Sequence, residues 1–98
     1  MPSTQKNMLS RDDAVMLALG ALRFLAADAA MWSRFEAMTG VDPAAASELA
    51  VKPGFQAGVL EFLLQHEPSL MVFCSHENIP PEYAAEAHRL LTGSEVEF

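Results

Sequence analysis

The 98-residue sequence predicts an all-α fold, a compact single-domain bundle of about six short helices around a buried first helix. Alanine and leucine supply 16 and 12 residues, whereas valine, isoleucine and threonine together supply ten, and this balance favours helices over strands. Prolines precede four helical patterns, where their missing N–H would be unpaired in any case, and glycines follow two others: Pro43, Pro53, Pro68, Pro81, Gly40 and Gly93.

Composition narrows the class of protein. Hydrophobic residues make up 51% of the chain and charged residues 19%, which excludes an intrinsically disordered protein. One cysteine excludes a disulfide framework. The formal net charge of -7 lies wholly in residues 41–98, because residues 1–40 hold as many acidic as basic groups. Since the lysines and arginines are few and scattered, nucleic acid is not an expected partner.

The apolar run near the N-terminus raises the question of a membrane. Residues 14–22 are all apolar, but even when the run is extended through Arg23 to residue 27 it is shorter than the roughly 20 residues that a span needs. A signal peptide is the alternative, and it is opposed by Asp12 and Asp13 in the region that should be positive. We therefore expect a cytoplasmic protein without a membrane partner, and the unpaired cysteine agrees with this location.

The first helix is predicted to begin after Ser10, which caps it together with Asp13 three residues on. As far as residue 27 only Arg23 is charged and apolar residues lie on all sides, which is typical of a central, buried helix. Gly20 costs stability in the middle of a helix, so we expect another helix to approach closely there.

Aspartates predict the starts of the second and third helices. Asp28 caps a helix over residues 29–38, and Asp42 caps one over residues 43–50 that begins with proline. The inward face of the second helix follows from its spacing: Met31, Phe35 and Met38.

Three further helices are predicted over residues 53–66, 68–76 and 81–91. In the fourth helix we expect Gln56, Glu61 and Gln65 to face water. The apolar side chains that we assign to these helices are Phe55, Val59, Phe62, Leu63, Leu70, Met71, Phe73, Cys74, Tyr83, Ala87, Leu90 and Leu91. Residues 1–9 form a tail, residues 10–93 the helical domain, and residues 94–98 a second tail with a strand-like alternation of acidic and apolar residues.

The helix starts and apolar runs from residue 39 onward resemble a bacterial family of short all-helical proteins known only as a domain of unknown function. The residues that carry the resemblance are TGVDP at 39–43, PGF at 53–55, VLEFLL at 59–64, EPSL at 67–70, Phe73, PE at 81–82 and residues 87–93. Glu61 and His66 depart from the pattern, because such proteins favour aspartate there. The resemblance implies a helical fold, and it implies no catalytic residue or ligand.

One group of side chains is a candidate for metal or nucleophilic chemistry: His66, Glu67, Cys74 and His76. Cys74 and His76 diverge by about 200° on a helix, so an intact helix prevents them from binding one ion. Cys74 lies in an apolar run, where free cysteine is usually a small core residue. Both histidines lie near predicted helix C-termini, where the helix dipole favours an imidazolium. We therefore expect no catalytic, cofactor-binding or metal-binding residue.

Apolar side chains are better candidates for a functional surface. Trp32 lies about 100° away from the inward face of its helix, and tryptophan is enriched at binding hot spots. The alternative is that it closes the edge of the core. Val96 and Phe98 can bind a partner as a strand or hook, or pack back on the domain.

The preferred functional hypothesis is a non-enzymatic protein-interaction module, with another protein or a second copy of the chain as its partner. A high apolar fraction in a chain with a modest core supports this hypothesis. The alternative is a small apolar-ligand pocket among the helices, lined by methionine and phenylalanine. An enzyme is the third hypothesis, because no convergent set of polar residues is visible.

Overall fold

The computed structural model describes the backbone of residues 9–96 and the side chains of residues 9–92, and this part of the chain holds six helices and no strand. The helices are α1 (Arg11–Ala26), α2 (Ala29–Thr39), α3 (Pro43–Leu49), α4 (Pro53–Leu64), α5 (Glu67–Glu77) and α6 (Glu82–Val96). The predicted all-α class, the number of helices and their order are confirmed.

Side-chain caps start the first three helices as predicted. The Ser10 hydroxyl accepts a hydrogen bond from the Asp13 amide, and the Asp13 carboxylate accepts one from the Ser10 amide, both at 3.0 Å. Asp28 accepts from two amides of α2, and Asp42 accepts from the Ala45 amide at 2.8 Å. Because each cap satisfies an otherwise unpaired N–H group, each contributes about 1 kcal/mol to stability.

The core lies where α1, α4 and α6 contact one another, with α2 packed on α1 and α5 on α4. The buried face of α1 is narrow and consists mostly of alanine, so the bulk of the core comes from other helices. In α4 six residues are buried, more than in any other helix whose side chains are all described. The chain reverses direction after α2 at Gly40, whose φ of 75° is a left-handed conformation that glycine adopts without strain.

An aromatic cluster fastens α2 to α4. Phe35 is fully buried, and its ring centroid lies 5.4 Å from that of Phe62 and 6.0 Å from that of Phe55, both edge to face. Trp32 lies at 5.1 Å on the same ring. Such edge-to-face pairs contribute about 0.5–1.5 kcal/mol each beyond the burial of their area.

Two predicted side-chain orientations are wrong. Gln56 does not face water: it is 4% exposed, and its Nε2 donates to the Ala50 carbonyl oxygen at 2.7 Å across the α3–α4 turn. Its Oε1 is buried and has no partner among the described residues. Met38 does not face the core: it is 64% exposed in the last turn of α2, beside Arg34 and Gln65 at the edge of the molecule.

Two predictions made from glycines are also wrong. Among the described residues no other helix approaches Gly20 closely, because the first atom that a β-carbon there would meet is Nη2 of Arg23, at 3.9 Å. Gly93 does not end α6, which continues to Val96, so residues 94–96 are helical rather than strand-like. A glycine inside a helix costs about 1 kcal/mol but does not break it, and no proline follows Gly93 to stop the helix.

Candidate functional site

A cleft of about 540 Å³ lies between the C-terminal half of α1, α2 and α3. It is open to solvent on one side. Its walls are predominantly apolar and small, with Leu22 and Ala26 from α1, Ala29 from α2, and Pro43 and Ala46 from α3. No methionine or phenylalanine lines this cleft, contrary to the lining that we predicted for a ligand pocket; Met38 and Phe62 line a smaller pocket of about 190 Å³.

Local chain geometry creates this cleft. α1 ends at Ala26 and α2 begins at Ala29, so only two residues join the helices, and the second of them, Asp28, caps α2. The direction of α2 differs from that of α1 by 112°. Gly40 then redirects the chain, and Asp42 starts α3 with Pro43 in its first turn. Because α2 leaves α1 at this steep angle and α3 follows a second turn at Gly40, the three helices surround an open space instead of packing along their lengths.

Trp32 forms part of the wall of the cleft. Its side chain is half-buried, with one part against Phe35 and another facing the cleft. The indole Nε1–H is buried, and it has no hydrogen-bond partner among the described residues. An unpaired buried donor costs about 1–3 kcal/mol, which an acceptor arriving with a partner or a ligand would recover.

The cleft continues along the solvent-exposed side of α1. Met16, Leu19, Arg23 and Ala26 follow one another at spacings of three and four residues, which places them on one face of the helix. Met16 is 65% exposed and Leu19 is half-buried. We call Asp12 together with these four residues the outer face of α1. Between Asp12 and Arg23 this face carries no charge.

The charged groups of this surface are unpaired within the described chain. Arg23 and Glu36 both line the cleft, and they form no ion pair with each other. Asp12 and Arg23 are exposed at the two ends of the uncharged part of the outer face, and neither side chain makes a hydrogen bond or an ion pair with residues 9–92. Both charges are therefore available to a partner.

The predicted chemical candidates do not form one site. His66 is the N-cap residue of α5 as well as the residue that follows the α4 cap, and its Nδ1 lies 2.5 Å from the Ser69 hydroxyl. That hydroxyl donates to the Met31 sulfur at 3.3 Å, so His66 links the α4–α5 turn to α2. His76 lies in the last turn of α5 as predicted, with its Nδ1 at 3.5 Å from the Glu77 carboxylate. Neither histidine contacts Cys74 in the described structure.

Cys74 is a core residue. It is 3% exposed, and burial raises the pKa of its thiol, with the nearby charge of Glu82 adding to the effect. A thiol with a raised pKa is a poor nucleophile at neutral pH. Within the described residues no group of three or more histidine, cysteine, aspartate or glutamate side chains is arranged to bind a metal ion.

The three predicted interface residues have different positions. Trp32 lies at the cleft, Val96 is the last residue of α6, and Phe98 lies outside the described residues. Met16 and Leu19 were not among the surface residues predicted from the sequence. A signal for them was present: α1 is apolar on all sides, and a helix that packs on only one side must expose part of such a surface.

Three comparisons with known proteins bear on the chain. A family model described as "Protein of unknown function (DUF3572)" matches residues 11–94, which are most of the sequence. No curated protein and no solved structure matches it. In the described part, no single helix is long and apolar enough to cross a membrane; α1 and α2 reach that composition only when taken together, across their 112° bend.

Proposed function

The chain belongs to the DUF3572 family of proteins of unknown function, and from this premise we propose that it is a non-enzymatic protein-interaction module of the bacterial cytoplasm. Its binding surface is the outer face of α1 together with the adjoining cleft. The observation that carries the proposal is the exposure of Met16 on a face that continues, without a charge before Arg23, into an open apolar cleft.

Physical chemistry supports a binding role for this surface. Contiguous exposed apolar area is unfavourable in water, and on small proteins it commonly marks the site of a partner. Trp32 provides a large, half-buried ring in the cleft wall, of the kind found at interface hot spots. The charges of Arg23 and Glu36 at the cleft resemble the polar rim that surrounds the apolar centre of an interface.

The test compares two variants of the full chain that differ only in which apolar surface is made polar. In one, Met16→Gln and Leu19→Gln alter the outer face of α1. In the control, Met71→Gln and Val72→Gln alter a second exposed apolar pair, on α5. Each tagged protein is used to capture partners from cells of its own species, and thermal melting first shows that both variants are folded.

We expect the outer-face variant to lose the partners that the wild-type chain captures, and the α5 control to retain them. If the two variants capture the same proteins as the wild type, the outer face is not the binding surface. Loss of partners by the α5 control alone would place the interaction on α5 and would likewise contradict the proposal.

A small apolar ligand is a second candidate function, and the unpaired Trp32 Nε1–H favours it. The cleft volume of about 540 Å³ falls within the range of small-molecule sites, about 300–1,000 Å³. A suitable ligand has an apolar body and a hydrogen-bond acceptor for the indole. Because Trp32 is the only tryptophan, its fluorescence reports on the cleft directly.

Titration with octanoate, which has such a body and acceptor, tests this second candidate. A saturable change in tryptophan emission that disappears when Ser33→Phe fills the cleft would support ligand binding. An emission spectrum that does not change on titration, or a change that the filled cleft retains, would count against it.

A further inference from the structure

Resting on the proposed function, we infer that the partner of the outer face is a second copy of this chain, bound through two antiparallel α1 helices related by a two-fold axis. A two-fold interface brings the same surface of both copies together, so that surface must be complementary to itself. Two properties of the outer face of α1 meet this requirement: the order of its residues and its two unpaired charges. A third property favours contact there, because α1 lies in the part of the chain that has no net charge.

The residue order is symmetric about the middle of the face. Asp12, Met16, Leu19 and Arg23 lie on one side of the helix, and the midpoint between 16 and 19 is also the midpoint between 12 and 23. When a second α1 is laid antiparallel across this midpoint, Met16 of each copy meets Leu19 of the other. The same register brings Asp12 of each copy to Arg23 of the other.

The charges select this orientation. Asp12 and Arg23 are separated by three helical turns, about 16 Å, and neither is paired within the described residues. Antiparallel pairing forms two ion pairs, one at each end of the apolar centre. A parallel arrangement in the same register would place Asp12 against Asp12 and Arg23 against Arg23. Opposite charges at the ends of an apolar seam therefore favour one orientation over the other.

The charge of the rest of the chain favours contact through α1. Residues 1–40 are neutral overall, whereas residues 41–98 carry the entire net charge of -7. An interface built on α5, with its two glutamates, or on α6, with three glutamates and one arginine, would bring together two helices that each carry a net charge of -2, whereas the charges of α1 sum to zero. Pairing through α1 joins the neutral parts of the two copies and leaves the acidic helices on the outside, where their mutual repulsion is weakest.

The experiment exchanges the two charges. Sedimentation equilibrium of the full-length protein is recorded from about 10 µM to about 1 mM, which spans the affinities of weak interfaces. The proteins are the wild type, Asp12→Arg, Arg23→Asp, the double variant, and an equimolar mixture of the two single variants. Thermal melting of each gives its folding stability separately, because Asp12 also lies in the first turn of α1, where a negative charge is favourable.

We expect the wild type to dimerise reversibly and each single variant to dimerise about tenfold more weakly, since two attractive pairs become repulsive in each. The double variant and the mixture restore opposite charges at both ends, so both should dimerise within about threefold of the wild type. Recovery in the mixture is expected for antiparallel and parallel pairs alike, because one variant is positive and the other negative at both positions. The orientation follows from the other proteins: only the antiparallel register predicts a loss in both single variants and recovery in the double variant.

A wild-type protein that stays monomeric over the whole range would overturn the inference, and so would a dimer that is indifferent to all four charge changes. Neither result contradicts the proposed function by itself. If the wild type captures a different protein and the Met16→Gln, Leu19→Gln variant loses it, the outer face remains an interaction surface. A charge-dependent dimer together with unchanged capture of other proteins would support the inference and contradict the proposed function, because those proteins would then bind elsewhere on the chain.

Discussion

Both sides of α1 carry apolar side chains, but only those on the inner side are buried. On the inner side Ala14, Ala18, Ala21 and Leu25 are buried against the other helices of the bundle. On the outer side Met16 is largely exposed, next to a cleft, between two unpaired charges. Hydrophobicity alone therefore does not determine what is buried in this chain: the number of neighbouring helices does.

This difference separates the two roles of α1. The inner side stabilises the monomer, and the outer side is available for binding. Changes on the inner side should lower the free energy of unfolding, whereas changes on the outer side should leave it nearly constant and alter association. The following predictions test that division, beginning with the largest effect.

Leu25→Ala should lower the free energy of unfolding by about 2–5 kcal/mol, because it leaves a cavity in a fully buried site. Met16→Ala, two and a half turns earlier on the opposite side, should change it by less than about 0.5 kcal/mol. Urea unfolding followed by circular dichroism measures both. Equal losses in the two variants would show that the outer side of α1 is also part of the packed core.

Gly40→Ala should destabilise the protein by about 1–2 kcal/mol, because the φ of 75° at this position is strained for any residue with a β-carbon. The turn at Gly40 also sets the position of α3 on the cleft. The same urea experiment provides the measurement, with Gly58→Ala in α4 as a control, since a β-carbon there meets nothing within 4 Å. Gly58→Ala should leave the free energy of unfolding unchanged or raise it. If Gly58→Ala lowers it as much as Gly40→Ala does, backbone strain at Gly40 is not the cause of the loss.

Gly20→Ala should raise the stability of the monomer by about 1 kcal/mol, because alanine is the better helix former and its β-carbon has only ordinary contact with the Arg23 side chain. Gly20 is a buried residue on the flank of the outer face, so this change tests whether its surroundings leave room for a β-carbon. Thermal melting at a concentration well below that of any dimer gives the answer. A lower melting temperature would reveal a neighbour that packs against the glycine.

The smallest expected effect is the contribution of Cys74, a core residue, to the pH dependence of folding stability. Burial raises the pKa of its thiol in the folded state, so this group contributes stability that is fully present below its ordinary pKa of 9.0 and is lost as the pH rises through the raised value. The stability of the wild type should therefore fall more steeply above about pH 9 than that of Cys74→Ala. Parallel pH curves for the two proteins would show that the thiol is not desolvated.

The sequence contained most of the fold and little of the candidate site. Caps and prolines act within one turn of the chain, so Ser10, Asp28 and Pro43 located helix starts correctly. The burial of Gln56 depends on the Ala50 carbonyl across a turn, and no local pattern specifies such a partner.

The outer face was missed for a related physical reason. A helix that is apolar on all sides predicts burial, but its sequence does not indicate which side remains without a neighbour. Met16 and Leu19 gained their significance only when α4 and α6 were found on the other side of α1. The charges at Asp12 and Arg23 were visible in the sequence, but their availability depends on the absence of a partner within the folded, described part of the chain.

The most direct test of the outer face as the surface that binds a second copy of the chain uses the methionine methyl groups, since the chain has six methionines. With methyl-labelled methionine, NMR spectra of the full-length protein are recorded over a dilution series from about 1 mM to about 10 µM, where weak association dissociates. We predict that the Met16 methyl resonance shifts with concentration while those of Met38 and Met71, exposed on other helices, remain constant. A constant Met16 resonance would contradict self-association through the outer face of α1, and shifts at Met71 in its place would assign the contact between copies to α5.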